Sequence, residues 1–122
     1  MEKILYDKKG EPVAYIATDH HGTIYLWDGQ PVAYLYEEDR LYGINGRHLG
    51  WFIDEIIYDH EGARIGFTSG SCPAAVGKRR PKGKKSVLPE LKPRWAARPL
   101  PKLSFREAGQ TLADFLNEGR VS

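Results

Sequence analysis

One eleven-residue phrase occurs four times in the first 67 residues of the chain. Each copy has leucine or isoleucine, then tyrosine, three variable residues, glycine, two variable residues, a branched aliphatic residue, alanine or glycine, and an aromatic ring. Agreement at six positions in four copies indicates a repeat architecture, in which each copy is one structural unit. The copies are LYDKKGEPVAY (5–15), IYLWDGQPVAY (24–34), LYGINGRHLGW (41–51) and IYDHEGARIGF (57–67).

The shared glycine predicts that each copy is a β-hairpin. A tight reversal requires positive φ, which glycine adopts freely, and Asp-Gly and Asn-Gly are the strongest two-residue turn signals. If the turn is the pair that ends in glycine, Leu5 lies opposite Ala14 and Tyr42 lies opposite Leu49. The turn glycines are Gly10, Gly29, Gly46 and Gly62.

Strand alternation gives each hairpin two different faces. One face carries leucine or isoleucine with the small residue, and the other carries tyrosine, the branched aliphatic residue and the final ring. A lone hairpin is marginal in water, so the four must pack around a common axis, which the small residues allow them to approach closely. The predicted fold is all-β: four pseudo-symmetric β-hairpins form a four-petalled flower, closed into a ring rather than an open sheet. The small residues are Ala14, Ala33, Gly50 and Gly66.

The second, third and fourth phrases closely resemble the repeats of the bacterial four-fold beta flower proteins, and the resemblance covers residues 4–70. It implies a β-flower followed by a connector rich in lysine and proline and by a short C-terminal helical motif. TLADFL at 111–116 is the counterpart of that motif. Because the biochemical role of the family is uncharacterised, the resemblance implies no catalytic residue.

Charge divides the chain into three parts. Residues 1–77 hold six Lys/Arg against twelve Asp/Glu, residues 78–102 hold ten against one, and residues 103–122 hold two against three. The middle part also has five prolines, a composition that favours extended conformation and cannot build a core. We therefore predict a β-flower domain at 1–72, a basic proline-rich arm at 73–103 and a C-terminal helix at 104–119.

The predicted helix begins with a capping box, in which Ser104 caps and Glu107 follows three residues later, and it ends before Gly119. Its apolar residues recur at helical spacing and form one stripe, which needs a surface to cover it. We expect that stripe to dock on a β-flower of the same chain or of a second subunit. The docking residues are Phe105, Leu112, Phe115 and Leu116.

The basic arm has two interpretations. Clustered cations neutralise phosphates and release counterions, and a tryptophan among them stacks on a base, which indicates binding to nucleic acid. Alternatively, the arm lies on the acidic petals of its own chain or of a partner, and the tryptophan is an anchor. The candidate residues are Lys78, Arg79, Arg80, Lys82, Lys84, Lys85, Arg94 and Trp95.

The aromatic residues at the end of each copy offer a second candidate surface. Rigid rings supply contact area at low entropic cost and could receive a peptide, a glycan or a polyproline segment, although core packing is the ordinary use of such residues. The four rings are Tyr15, Tyr34, Trp51 and Phe67.

Other chemistry has little support in the sequence. His20, His21, His48 and His60 lack metal-ligand spacing and are expected to be solvated turn residues, so we predict no metal and no cofactor. No catalytic motif is present, which argues against an enzyme. The chain has no apolar run that could span a bilayer and no signal peptide behind its first residues, so we expect a cytoplasmic protein without a membrane partner.

These observations predict a non-catalytic binding or assembly module. The β-flower is its platform, and the arm and helix are its docking segment. A protein partner or self-association is the expected interaction. The alternative is an accessory protein that binds the phosphate backbone of nucleic acid through the arm.

Overall fold

The computed structural model describes residues 2–17, 22–37, 39–77 and 81–121. Its strands form one closed antiparallel barrel in chain order, in which β8 returns to pair with β1. The predicted all-β ring is therefore confirmed. The strands are β1 Glu2–Tyr6, β2 Pro12–Ala17, β3 Thr23–Leu26, β4 Pro31–Tyr36, β5 Arg40–Gly43, β6 His48–Ile53, β7 Ile56–Asp59 and β8 Arg64–Phe67, followed by one helix, α1 Leu112–Asn117.

The hairpin turns are one residue longer than the sequence analysis assumed. In the third hairpin the Gly43 N–H donates to Arg47 O at 2.8 Å, and residues 44–46 form the loop between them. Gly46 holds φ at +90°, which is the left-handed residue of a three-residue loop with a bulge. The side chain of Asn45 supports this loop, because its Oδ1 accepts from the Arg47 N–H at 3.0 Å.

The extra loop residue changes the strand register next to the turn. Leu5 pairs with Ala14, as predicted, but Tyr42 pairs with His48 rather than with Leu49. The same shift occurs in all four hairpins. The predicted opposition of each Tyr to its branched aliphatic residue was therefore wrong, because that residue is the bulged one.

The barrel interior is filled by the leucine, isoleucine and small-residue face of the repeat. The bulge also brings Val32, Leu49 and Ile65 into this interior core, whereas strand alternation placed them on the face with the rings. Small residues in the wall leave room for side chains from α1. The core comprises Leu5, Ala14, Ile16, Ile24, Val32, Ala33, Leu41, Leu49, Ile57, Ala63, Ile65, Ala108, Leu112, Phe115 and Leu116.

The helix α1 closes the end of the barrel that carries the four glycine turns. Leu112, Phe115 and Leu116 are buried in the interior core. Gly119, just beyond α1, accepts a hydrogen bond from the N–H of the turn residue Asn45 at 3.1 Å. Three of the four residues predicted to dock are thus covered by the barrel of the same chain.

The helix is shorter than predicted. Its cap is Thr111, whose Oγ1 accepts from the Asp114 N–H at 3.1 Å, and the capping box at Ser104 does not form. Residues 104–110 are not helical, and their backbone bonds to the fourth hairpin instead: the Arg64 N–H donates to Arg106 O at 2.8 Å, and the Ala108 N–H donates to Arg64 O at 2.8 Å. Phe105, predicted to dock with the stripe, is 86% exposed.

Enlarging a small wall residue tests this account of the core. Ala33 is fully buried, so Ala33→Leu is expected to lower the free energy of unfolding by about 1–3 kcal/mol through overpacking. Ala96→Leu makes the same change at an exposed position and should have little effect. Chemical denaturation measures both. Equal stability of the two variants would place Ala33 outside the core.

Candidate binding surface: the belt and the aromatic strips

The rings of the repeat pair across the junctions between petals. Each final ring lies in register with a tyrosine of the neighbouring hairpin, and two of these pairs are stacked, with centroids 5.6 and 6.1 Å apart. We call the four pairs aromatic strips, because each runs along one junction on the outside of the barrel. They are Tyr15–Tyr25, Tyr34–Tyr42, Trp51–Tyr58 and Phe67–Tyr6.

The basic arm is a belt around the end of the barrel that carries the turns. We define the belt as residues 75–106, described apart from 78–80. At every ninth residue a backbone N–H donates to the carbonyl of the next turn glycine, at 2.8 to 3.1 Å. The belt therefore repeats its backbone contact once per petal. The donor and acceptor pairs are Gly77 to Gly10, Ser86 to Gly29, Trp95 to Gly46 and Ser104 to Gly62.

Two lysines of the belt cover the first aromatic strip. Lys82 Nζ lies 4.4 Å from the centroid of Tyr15, and Lys85 Nζ lies 5.3 Å from that of Tyr25. Both ammonium groups also pair with the carboxylate of Glu2. The hydrogen bond from Lys82 lowers the pKa of the Glu2 carboxyl, so the pair persists to lower pH than an isolated carboxylate would allow.

The second strip is covered by the next unit of the belt. The Arg94 guanidinium lies 3.8 Å from the centroid of Tyr36, and its Nη1 donates to the Tyr34 hydroxyl at 3.5 Å. The Tyr42 hydroxyl donates to the carbonyl oxygen of Trp95 at 3.1 Å. Lys85 and Arg94 are nine residues apart. Equivalent positions of the belt therefore place a cation against the first strip and against the second.

His48 lies between the second and third strips and is buried, which corrects the expectation of a solvated turn residue. Its ring centroid is 5.1 Å from that of Tyr42 and 4.7 Å from that of Trp51. Its Nδ1 accepts from the Arg98 N–H of the belt at 3.4 Å, whereas Nε2 has no hydrogen-bond partner in the described structure. Burial lowers the pKa of the His48 imidazole, and the guanidinium of Arg98 lowers it further.

The lowered pKa of His48 predicts that the folded state loses stability in acid. The unfolded state binds more protons than the folded state between the folded pKa of His48 and its unfolded value of about 6.5. The stability contributed by neutral His48 is complete above about pH 6.5. It is lost as the pH falls toward the folded value. The charged and titratable groups around it, Arg98, Arg40 and His60, all favour the neutral form.

The measurement is the free energy of unfolding between pH 7.5 and 5. His48→Gln, which cannot titrate, should flatten this dependence, whereas His60→Gln, at an exposed turn position, should change it far less, because His60 is the smallest of the influences on His48. An identical slope in wild type and His48→Gln would contradict the assignment to His48.

The belt changes the interpretation of both candidate surfaces. Tyr15, Tyr34, Trp51 and Phe67 are each at most 6% exposed, so they form no open binding face in this structure. Lys82, Lys85 and Arg94 contact the chain's own barrel, whereas Lys84 and Trp95 are exposed. Lys78, Arg79 and Arg80 lie outside the described residues, as do His20 and His21.

Sequence reasoning missed the nine-residue spacing of the belt. The repeated contacts use backbone N–H and carbonyl groups, which any residue except proline can supply at the donor position. The nine-residue segments of the belt therefore share no side-chain pattern that the sequence could reveal. Cations and apolar residues alternate along the belt. This pattern does not indicate which of the side chains face the aromatic strips.

The outer side of the belt carries the exposed apolar surface. Every large apolar side chain that is exposed in the described parts of the chain belongs to residues 76–105. Val87 and Phe105 are the most exposed, at 91% and 86%, and Trp95 is 61% exposed. Five belt cations have no ion pair within the described structure. They are Lys84, Lys92, Arg94, Arg98 and Lys102, of which Arg94 contacts tyrosines instead.

A groove of about 310 Å³ separates the first turn from α1. Lys8 and Lys9 lie on one side of it, and Ile65 and Leu112 line it from the core. Arg64, which also lines the groove, is engaged elsewhere: its Nε donates to Ser104 O at 3.2 Å, and its guanidinium lies 4.3 Å from the centroid of Phe105.

No three or more His, Cys, Asp or Glu side chains are grouped to hold a metal ion within residues 2–17, 22–37, 39–77 and 81–121. In the same ranges, no helix is long and apolar enough to cross a membrane.

Comparison with curated proteins and with solved structures returned no significant match. A family model described as 4-fold beta flower protein matches residues 3–116. The match extends beyond the barrel through the belt and into α1, so these parts belong to the same family pattern as the repeats. The chain is therefore a member of the 4-fold beta flower protein family.

Proposed function

We propose that the protein is a non-catalytic binding or assembly module whose contact surface is the outer side of the belt. One observation carries this proposal: within the described structure, the exposed large apolar side chains all lie on the belt. Exposed apolar side chains that cluster on one segment are typical of interaction sites rather than of ordinary surface.

The other apolar groups of the molecule are already in use, which supports the belt as the contact surface. The aromatic strips are buried beneath it, and Leu112, Phe115 and Leu116 are buried in the barrel. Every strand has a neighbour on both sides, with β1 and β8 joined at the pair Tyr6 and Phe67, so the barrel offers little free strand edge to another chain. Burying a side chain such as Phe105 or Val87 against a partner contributes about 1.5–3 kcal/mol.

The charge of the belt favours an acidic partner protein. Lys84, Lys92 and Lys102 are exposed and have no ion pair in the described structure, so they are free to meet carboxylates. Complementary charge speeds association and sets specificity, while the apolar residues supply the larger share of affinity.

Nucleic acid is the second candidate, and the exposed ring of Trp95 beside Arg94 and Arg98 is the observation that favours it. Cations would follow the phosphate backbone, and the indole would stack on a base. The exposed aliphatic residues Val87 and Leu100 have no role in such a complex, which is why a protein partner is preferred.

Two belt variants separate the candidates. An apolar variant carries Val87→Ser, Trp95→Ser and Phe105→Ser, and a charge variant carries Lys84→Gln, Lys92→Gln and Lys102→Gln. We expect the apolar variant to lose the proteins that the wild type retains from native cell extract, and the charge variant to retain them with greater sensitivity to salt. Both variants should melt near the wild-type temperature, because all the altered side chains are exposed.

Binding to mixed-sequence single-stranded DNA at low salt is the second measurement. No binding by the wild type is expected. Binding that the charge variant abolishes would favour the nucleic-acid candidate, and unchanged protein retention by the apolar variant would contradict the proposal.

A further inference from the structure

The two ends of the barrel differ in chemistry. In an antiparallel barrel in chain order, the four glycine turns lie at one end, and the connections β2–β3, β4–β5 and β6–β7 lie at the other. The belt and α1 are at the turn end, which we call the belt end. We call the opposite end the connector end.

The described part of the connector end is acidic and partly apolar. Glu37, Asp39, Asp54 and Glu55 are all exposed there. Lys3 pairs with Glu55 and Arg40 pairs with Glu37, each at 2.9 Å, whereas Asp39 and Asp54 have no ion pair among the described residues. The adjoining side chains of Tyr36, Phe52 and Ile53 are only partly buried.

The belt end has the complementary composition. Its exposed cations Lys84 and Lys92 lack ion pairs within the described structure, and Val87 and Phe105 of the same belt are almost fully exposed. We propose that the belt of one copy docks on the connector end of a second copy, so that acidic and half-buried apolar groups of one meet basic and exposed apolar groups of the other. This inference rests on the proposed function, because it names the partner of the same belt surface.

Such a contact is heterologous, since it joins two different surfaces. Each added copy leaves one belt end and one connector end free, so association continues head to tail instead of stopping at a dimer. Opposite charge makes the contact sensitive to salt, because exposed charges are screened within about 10 Å at 0.1 M ionic strength. The wild type should therefore form oligomers that depend on both concentration and salt.

The test is the mass in solution of the full chain by light scattering and sedimentation. At low salt the average mass of the wild type should rise to at least about twice the monomer mass as the concentration increases, and return to the monomer in high salt. A wild type that stays monomeric at every concentration in low salt would overturn the inference. The proposed function would still be decided separately by the retention experiment.

Two blocked variants identify the surfaces. The belt-blocked variant carries Lys84→Gln, Val87→Gln and Phe105→Gln, and the connector-blocked variant carries Asp39→Asn and Asp54→Asn. Asp54 has φ of 51°, a left-handed value that asparagine also tolerates, so the second variant should fold normally. Each variant alone should remain monomeric at concentrations where the wild type associates.

Mixing the two blocked variants gives the decisive result. The intact connector end of the belt-blocked variant can receive the intact belt of the connector-blocked variant, so an equimolar mixture should contain one-to-one dimers and no larger species. Lys8→Gln with Lys9→Gln removes two exposed cations at the belt end but off the belt, and should leave wild-type association unchanged. Oligomers in either blocked variant alone, or loss of association in this control, would contradict head-to-tail docking.

Discussion

Truncating Phe115 to alanine is expected to lower the free energy of unfolding by about 3–5 kcal/mol. The ring is 2% exposed and lies in the interior core, where α1 closes the barrel, so its removal leaves a cavity that the surrounding strands cannot fill. A domain of ordinary stability has about 5–15 kcal/mol in total, so this loss would leave a large unfolded fraction at moderate temperature. Urea denaturation followed by tryptophan fluorescence measures the change.

Phe105→Ala is the matched control, because it removes the same side chain ten residues earlier. Phe105 is 86% exposed, and its contact with the Arg64 guanidinium at 4.3 Å contributes about 0.5–1 kcal/mol at an exposed site. If residues 104–119 formed one docked helix, as the sequence pattern predicts, the two variants would lose similar stability. Similar losses would therefore contradict the non-helical, exposed position of Phe105.

Gly46→Val is expected to destabilise the protein by about 3 kcal/mol or more, for two separate reasons. A β-branched side chain is strained at φ of +90°, which Gly46 adopts in the turn. In addition, a Cβ at this position would overlap the carbonyl oxygen of Pro93, so the belt would have to move away from the turn. Gly29→Val should act in the same way, since its Cβ would overlap the carbonyl oxygen of Lys84. Thermal and urea denaturation measure the effect.

Two further glycine variants separate strain from the belt contact. Gly109→Val adds the same side chain where no heavy atom lies within 4 Å, and it should change stability by less than about 1 kcal/mol. Gly46→Asn lessens the strain, because asparagine tolerates positive φ better than valine, but it keeps the overlap with Pro93. Wild-type stability in Gly46→Asn would show that the belt does not pack against this turn.

The hairpins could be predicted because their signals are local. Each copy has a glycine flanked by strand-forming residues. Leu41 lies opposite Gly50, as a two-residue turn predicts, because the bulged Leu49 compensates for the extra residue in the loop. The pair nearest the turn could not be predicted in the same way. Whether a loop has two or three residues depends on the backbone hydrogen bonds it closes, and the sequence around Asn45 is compatible with both.

The helix shows where local pattern and tertiary contact diverge. Leu112, Phe115 and Leu116 follow helical spacing and are in a helix, which Thr111 begins as N-cap. Phe105 and Ala108 fit the same spacing, but the backbone around them bonds to Arg64 of β8. Intrinsic helix propensity is a weak preference of less than 1 kcal/mol per residue, and Gly109 weakens it further, so these tertiary hydrogen bonds decide the conformation.

The candidate binding surfaces also combine features that the sequence predicts with features that only the folded structure defines. The sequence identified the basic arm and the four final rings of the repeats as candidate binding surfaces, and it left open whether the arm lies on its own barrel. The positions of Lys85 over Tyr25 and of Arg94 against the Tyr34 hydroxyl follow from the nine-residue advance of the belt, which matches the spacing between petals in the folded barrel. The spacing between petals is defined only after the four hairpins have closed into the barrel.

The sequence by itself determined the four hairpins, the small-residue face that lines the barrel and the separation of an acidic body from a basic arm. These are properties of local turn chemistry, of strand alternation and of composition, and each can be read from neighbouring residues. Only the tertiary structure decided the turn register, the start of α1, the burial of the rings and of His48, and which belt side chains remain exposed. The turn register is set by short-range backbone hydrogen bonds such as that from Gly43 to Arg47. The other features depend on backbone groups that meet across 40 or more residues, such as Trp95 with Gly46 and Ser104 with Gly62, and backbone groups carry no signature in the sequence.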